Sequence, residues 1–334
     1  MNATTFEERF PFAGSIEEQI KQLLTAAVRA PSTHNSQPWL FDLKHNRLRI
    51  LRDTAIVLPQ SDPQYRYTHV SIGFLIHHIE QLAKWLSMDP QITLGDGSEY
   101  LAEISFSPAT KSASTSSLAE AIFTRRNRRG LFGKEVIPQD VLAEALAIPG
   151  RIAEQCVVRA VTDEVARNTI AEATAKNMMR VYARPAFRRE MSKWITPTGS
   201  PRKTGLPGYT LNQPLIMSWI LPTVIRFVNM GKVLAKLNRG SIASAPAAFG
   251  FSAEEGISGW LSVGYAASHA ALTLTAHAFD YSVFVASIEY PDTRAEVGAV
   301  FGFAEPLQFV FVAGKLPGEV SWRTPRVAVD AKLT

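Results

Sequence analysis

Cysteine is nearly absent from this chain. One residue, Cys156, occurs in 334. A lone cysteine excludes an intramolecular disulfide framework and any cysteine-built zinc or iron–sulfur site, and it fits a reducing, cytoplasmic setting. No G-x-G-x-x-G follows a candidate strand, and no G-x-x-x-x-G-K-[ST] or G-x-S-x-G occurs, which argues against Rossmann, P-loop and α/β-hydrolase chemistry. No His pair has the i, i+4 spacing with an intervening Glu that binds zinc, so no metal site is expected. The opening MNATTFEERF lacks a basic segment followed by an apolar one, so no secretory signal is read there. The longest apolar stretch, Leu215 to Met230, is interrupted by Pro222 and Arg226 and falls short of the ~20 residues a membrane span needs. It reads as a buried or lid helix, and no membrane partner is expected.

What is present is ordinary globular material: 46% hydrophobic and 19% charged residues, with a net charge of +5. The mild positive charge suits an anionic small ligand as well as a nucleic acid. Length suggests about two domains or one large one.

Ser15 with Glu18 three residues later forms a capping-box pattern ahead of a helix over Ile16 to Val28. Pro31 stops that helix, because proline disfavours helical geometry in the residue before it. A polar loop follows, Ser32 to Gln37. Two β-rich runs then flank Lys44-His45-Asn46 as a hairpin. A long helix is predicted from about Thr68 to Met88, and a second hairpin from Ile92 to Phe106. Residues 109–117 read as a linker, which divides the chain into halves at 1–117 and 118–334. The second part runs through a helix into RRNRRG, a helix with Pro138 in its first turn, a strand Cys156 to Val161 and a helix capped by Asp163. Residues 184–244 hold six basic residues by Lys203 and read as an insertion or lid. The alternation resumes with a strand near Ala247, a helix Gly259 to Ala278, a strand Ser282 to Ala286, a helix Pro291 to Phe301 and a strand Leu307 to Val312. IGFLIHHIEQLAKWLSMD, from Ile72, lies without gaps on VGYAASHAALTLTAHAFD, from Val263, placing Gly73 on Gly264 and His78 on His269. Chance alignment of two amphipathic helices accounts for this equally well.

Three constellations can carry chemistry. The loop APSTHNSQPW packs Ser32, Thr33, Asn35, Ser36 and Gln37 between a helix end and a strand, where hydroxyls and amides can converge on one polar ligand. It reads equally as a polar turn capping a helix. Arg125, Arg126, Arg128 and Arg129 crowd into five positions, at a cost in self-repulsion that an anion such as phosphate would offset. A solvated charge run is the other reading. The tail WRTPR adds Arg323 and Arg326, either to the same pocket or as a frayed end. Aromatics are not interleaved with the basic cluster, so no nucleic-acid platform is expected. Most histidines read as core or surface residues; His34 lies in the polar loop.

At PSTHNSQPW the sequence resembles the FMN-dependent nitroreductase family, with Pro31, Ser32, Asn35, Gln37, Pro38 and Trp39 matching its P-S-x-x-N-x-Q-P-W loop. Arg125 to Arg129 resemble the family's R-x-S-x-[RK] segment, with Asn127 in place of the serine, and Arg323 and Arg326 resemble its C-terminal basic pair. The arginine segment follows the loop by about ninety residues instead of preceding it. That order is similar to the Acg-type branch, in which two nitroreductase-like halves share one chain. REMSKW, GLP, SAPAAFGF and WLSVG agree with that branch.

The resemblance implies an α+β fold with antiparallel or mixed sheets flanked by helices, arranged as a pseudo-dimer. It also implies one FMN per chain, with NADH or NADPH as donor and a nitro, quinone or similar small-molecule acceptor. By the resemblance Arg125, Arg126, Arg129, Arg323 and Arg326 hold the phosphate. Pro31, Ser32, Thr33, Asn35 and Gln37 supply the loop that holds the ribityl chain and ring edge. Asn127 stands at the family's serine position. The family's glycine is missing from FDYSVFVASIEYP, so a backbone donor at Ala286, Ser287 or Ile288 is the expectation for flavin N5. No side chain is required as acid or base, because the flavin carries the chemistry. A lid-occluded flavin store is the alternative, and the chain is expected as a monomer with an internal pseudo-dimer or as a homodimer.

Overall fold

The N-terminal capping box forms as the sequence requires: in the computed structural model, which describes residues 2–110 and 116–334, Ser15 accepts from the Glu18 amide and Glu18 reaches back to the Ser15 amide. The helices are α1 (Ala3–Glu8), α2 (Ile16–Ala27), α3 (Arg66–Trp85), α4 (Ser117–Thr124), α5 (Gln139–Leu146), α6 (Glu164–Ala183), α7 (Pro185–Trp194), α8 (Leu215–Phe227), α9 (Gly231–Ser244), α10 (Ile257–Ala276) and α11 (Pro291–Phe301). The strands are β1 (Trp39–Lys44), β2 (Arg47–Arg52), β3 (Gln91–Leu94), β4 (Ala102–Ser105), β5 (Val157–Val161), β6 (Ile195–Thr196), β7 (Leu206–Pro207), β8 (Ala247–Ser252), β9 (Asp280–Val283) and β10 (Leu307–Gly314). The fold is α+β, with antiparallel sheets flanked by helices.

Two four-stranded sheets carry the same order. One runs β1-β2-β4-β3 and the other β5-β8-β10-β9. In each, two strands precede a long helix and two follow it, and the last strand inserts beside the second. β1 and β2 are joined by the tight His45-Asn46 turn. β5 and β8, their counterparts by order, are joined by residues 162–246, so the whole insertion sits where the first sheet has a hairpin turn.

The long helices α3 and α10 pack side by side at two glycines. A Cβ on Gly73 would lie 2.2 Å from the Leu261 carbonyl, and one on Gly264 would lie 2.0 Å from the Val70 carbonyl. Only hydrogen fits there, so backbone meets backbone. His77 Nδ1 lies 2.9 Å from Ser268 Oγ, a partner 191 residues away. The same offset relates Gly73 to Gly264, Val70 to Leu261, and His69 to Trp260, whose rings stack at 5.6 Å. Corresponding positions touch one another, and off-axis pairs are reciprocal, which is the contact pattern of a two-fold interface.

One apolar core spans both sheets through α3 and α10 and includes Trp39, Phe41, Phe74, Phe249 and Phe311. A second lies on the far face of the second sheet, under α6 and α11. β10 is buried along its length between the two, as a strand covered on both faces must be. A third, small core joins the end of α6 to the insertion around Tyr182, Ile195 and Ile225.

Several expectations shift. Pro138 is the residue before α5 rather than in its first turn. The strand expected at Ser282 to Ala286 is β9, two residues earlier, because β9 pairs with β10 from Asp280 opposite Gly314. Residues Val285–Ile288 instead form a 3-10 turn. Of the expected linker, residues 111–115 lie outside the described residues. Ser116 accepts from the Ala119 amide as the cap of α4. The apolar α8 is not a buried helix: only Ser218 and Ile225 are buried on it.

Candidate functional site

Helix α2 ends at Val28, and the chain turns through a loop in which His34, Asn35 and Gln37 all have positive φ, near 54°. Three non-glycine residues in the left-handed region within four positions store strain that the surroundings must hold. Ser32 Oγ accepts from the Gln37 amide at 2.9 Å, beside the half-buried Pro31 and Thr33.

The two amides expected to meet a ligand are engaged elsewhere. Asn35 Nδ2 donates to the Pro325 and Lys203 carbonyls at 3.1 and 3.4 Å, and its Oδ1 accepts from Arg326 at 2.8 Å. Gln37 Nε2 donates to the Lys203 carbonyl at 2.8 Å, and its Oε1 accepts from the Val327 amide at 2.8 Å. Asn35 and Gln37 therefore tie the loop to the insertion and to the C-terminal tail. Arg326 is also a tie rather than an exposed phosphate ligand. It donates to the Val28, Arg29 and Ala30 carbonyls, closing the open end of α2.

The arginine run divides by neighbour. Arg125 donates to Tyr281 Oη at 2.6 Å and to the Arg29 carbonyl. Arg126 donates to the Trp322 carbonyl at 2.9 Å and the Thr124 carbonyl at 2.7 Å. Asn127 Oδ1 accepts from the Val283 amide at 3.2 Å. Arg128 pairs with Asp280 at 3.0 Å and donates to the Pro317 and Gly318 carbonyls. Arg129 stands apart, over the Phe284 ring at 4.6 Å and donating to the Val283 carbonyl. Arg129, expected at the phosphate, thus lies beside the Val285–Ile288 turn. Ser287 is fully buried; its hydroxyl donates to the Phe284 carbonyl at 2.9 Å and its amide to the same oxygen at 3.3 Å. It does not offer a free backbone donor.

What the structure gathers is a cluster the sequence only half displays. Arg29, Arg125, Arg126, Arg323 and Arg326 lie in one another's fields at the end of α2, the end of α4 and the tail. Burial, then Arg323, Arg125 and Arg126, push the Arg29 guanidinium down to about 10. Burial, then Arg125 and Arg29, push Arg326 down to about 9. Arg126 is lowered by burial and then by Arg323, Arg128 and Arg125. Buried guanidiniums that also repel one another make a site that an anion stabilises. Arg29 was missed because it stands alone in VRAPS.

The insertion closes over the polar loop. Glu190 accepts from the Gln60 and Ser61 amides at 2.8 and 2.9 Å and from Ser61 Oγ at 2.6 Å. Ser61 Oγ is also 3.1 Å from His34 Nε2, whose ionisation burial lowers to about 4. Tyr209 Oη donates to the Arg323 carbonyl at 2.9 Å. His77 and His78 are buried and bonded to Ser268 and the Ala27 carbonyl, as core histidines.

Beyond Ser61 opens a cleft of about 1120 Å³ between Asp62–Tyr67 on one side and Glu255, Trp260 and Ile288–Arg294 on the other. Asp62 caps α3, accepting from the Tyr67 and Thr68 amides at 3.1 and 2.8 Å. Arg66 Nη2 donates to Tyr67 Oη at 2.6 Å, and its buried Nε has no partner among the described residues. Glu289 lies beside them. Burial pushes its carboxyl up to about 7, against the pull of Arg66. From an ordinary value of 4.5 up to about 7, the folded protein holds a proton that the unfolded chain has released. Stability should therefore fall as pH rises through that window, by at most about 3 kcal/mol, and level above it. The Glu289→Gln variant is expected to lose this slope, read from urea midpoints across the window. A parental slope in the variant would assign the proton elsewhere.

No family model matches the chain. A Mycobacterium tuberculosis protein provisionally named an NAD(P)H nitroreductase is 30% identical over 124 residues, covering 36% of this chain and 36% of that protein. An uncharacterised protein of the same organism is 28% identical over 118 residues, covering 33% and 34%. The chain thus matches about a third of the length of each relative. Among solved structures, an FMN-dependent nitroreductase of Mycobacterium smegmatis in complex with NADPH aligns with a TM-score of 0.41 and 19% identity, covering 64% of this chain and 96% of that one. A nitroreductase with bound FMN from Bacteroides fragilis aligns with a TM-score of 0.40 and 15% identity, with the same coverage.

Proposed function

We propose that this protein binds FMN and works as a flavin-dependent oxidoreductase. It would take electrons from NADH or NADPH and deliver them to a nitro, quinone or similar small-molecule acceptor. The observation that carries the reading is the arginine cluster where α2, α4 and the tail meet. The residues fit the group: a phosphate dianion is the ligand that such a set of guanidiniums recognises, through paired charge-assisted bonds. Arg29, Arg125, Arg126 and Arg323 are assigned to the phosphate, with Arg326, Asn35 and Gln37 holding them in place. Ser32 and Thr33 supply hydroxyls along the loop. Asn127 and Arg129, next to the Phe284–Glu289 turn, mark the opposite end of the site, where the ring belongs.

When bound, FMN supplies hydride acceptance and electron transfer. The chain's own residues orient it, offset its charge and exclude water. The 124 residues matched at 30% identity to a protein provisionally named an NAD(P)H nitroreductase support the same class of reaction. The two-fold contacts of α3 and α10, and the shared strand order, support a pseudo-dimer of residues 1–117 and 118–334. The first half contributes the polar loop and the second the arginine run, which gives one site per chain.

The test is an absorbance spectrum of the purified protein before and after anaerobic NADH or NADPH. The expected result is about one FMN per chain that bleaches with either nucleotide. A flavin that stays oxidised with both, yet bleaches with dithionite, would make the protein a flavin store. Failure to bind FMN after reconstitution would overturn the reading altogether. Because Glu190 anchors the insertion to the Gln60–Ser61 loop, Glu190→Ala should loosen the cover. It is expected to speed flavin reduction by about tenfold in stopped-flow measurements. An unchanged rate would mean that the insertion does not limit access.

A further inference from the structure

The insertion presents a surface that the flavin site does not use. Helix α8 turns Ser218 and Ile225 inward and leaves Leu215, Ile216, Trp219, Ile220 and Phe227 in solvent, with Ile216, Trp219 and Phe227 exposed to 75%, 62% and 71%. α9 carries two more exposed apolar side chains, Val233 and Leu237, at 52% and 62%. Isolated apolar side chains on a surface are ordinary, but a contiguous aromatic and aliphatic face marks a docking surface.

The charges carried by this stretch of chain have one sign, with Arg239 of α9 paired to Glu172 of α6. No aspartate or glutamate occurs between Glu190 and Glu254. Over the same stretch Lys193, Arg202, Lys203, Arg226, Lys232 and Lys236 are all exposed. An apolar face with a tryptophan, on a stretch whose own charges are all lysine and arginine, is the pattern of a helix that lies in a membrane interface and is drawn to anionic headgroups. α8 has 13 residues, and no helix among the described residues is long and apolar enough to cross a membrane.

A second copy of the chain is a poorer occupant. A two-fold interface would set this basic rim against itself, with no carboxylate on the stretch to answer it.

We propose that α8 and α9 dock this protein on an anionic lipid surface, with the α8 face entering the headgroup region and the surrounding lysines and arginines pairing with lipid phosphates. The proposal does not depend on flavin.

The full chain is mixed with vesicles of phosphatidylcholine alone, or of phosphatidylcholine and phosphatidylglycerol in equal parts, and sedimented. Binding is expected to the mixed vesicles, weak or absent on phosphatidylcholine, and reduced at high salt. The double variant Ile216→Ser, Trp219→Ser alters only exposed positions and should bind at least about tenfold more weakly. Lys232→Glu with Lys236→Glu should do likewise, while circular dichroism and thermal melting stay parental. Three outcomes overturn the proposal. One is no binding to the mixed vesicles. Another is undiminished binding by the folded Ile216/Trp219 variant. The third is a concentration-dependent dimer in light scattering that this variant abolishes, which would assign the face to a second copy.

Discussion

The Arg126→Glu variant is expected to fold as its parent does and to bind FMN about a hundredfold more weakly. The size follows from the loss of one charge-assisted bond, worth about 1.5–3 kcal/mol, together with the repulsion that a carboxylate adds against the phosphate. Arg126 suits the test because its own contacts are two backbone carbonyls, Trp322 and Thr124, rather than core packing. Arg125 is a poorer choice, since it holds Tyr281 and the end of α2. The control is Arg128→Gln. Arg128 is neutralised by Asp280 and turned onto Pro317 and Gly318, so its loss should destabilise the chain while leaving FMN affinity within about threefold. Titration of apoprotein by flavin fluorescence reads both. Parental affinity in Arg126→Glu would place the phosphate outside the cluster. A large loss in Arg128→Gln would mean that the run acts as a general positive field rather than a built site.

That contrast shows where sequence reading of the site stops. The run at 125–129 and the loop at 31–37 are legible because their residues are consecutive, and adjacency alone states a shared place. Which arginine faces an anion is not legible. It depends on Asp280 and the carbonyls of Pro317 and Gly318, on another strand and on the tail. The roles of Asn35 and Gln37 were hidden for the same reason, because their partners are the Lys203 carbonyl and the Val327 amide, far along the chain. Arg29 belongs to the cluster through its position at the end of α2, and a single arginine in VRAPS carries no pattern.

The fold was more open to reading, because its punctuation is local. The Ser15 box, the Pro31 stop and the His45-Asn46 hairpin turn each follow from a few neighbouring residues. The edges of β9 were misplaced because pairing with β10 fixes them. Which of the two readings of α8 holds, buried or lid helix, is not legible, because an apolar helical run looks the same whether it faces a core or solvent. Hydrophobicity reports that a residue favours burial, not what buries it.

The aligned glycines of the internal repeat lead to the largest expected loss of stability. Gly264→Ala should cost about 2–4 kcal/mol, seen as a lower melting temperature and urea midpoint. The usual gain in helix propensity, about 1 kcal/mol, works in the other direction. It is outweighed because the new methyl would meet the Val70 carbonyl at 2.0 Å, and backbone on a buried helix cannot step aside as a flexible side chain would. Gly298→Ala isolates the propensity term. Gly298 lies within α11, and a Cβ there would have its nearest neighbour at 3.9 Å, so this variant should be as stable as the parent or more so. Reciprocity makes a sharper demand. Gly73→Ala strikes the Leu261 carbonyl across the same crossing, so its cost should match that of Gly264→Ala. Once the helices have parted for one methyl, the second finds part of its room already made. The double variant should therefore cost less than the sum of the singles. Full additivity would mean that the two clashes relax separately, and α3 and α10 would then not move as one pair about a shared axis.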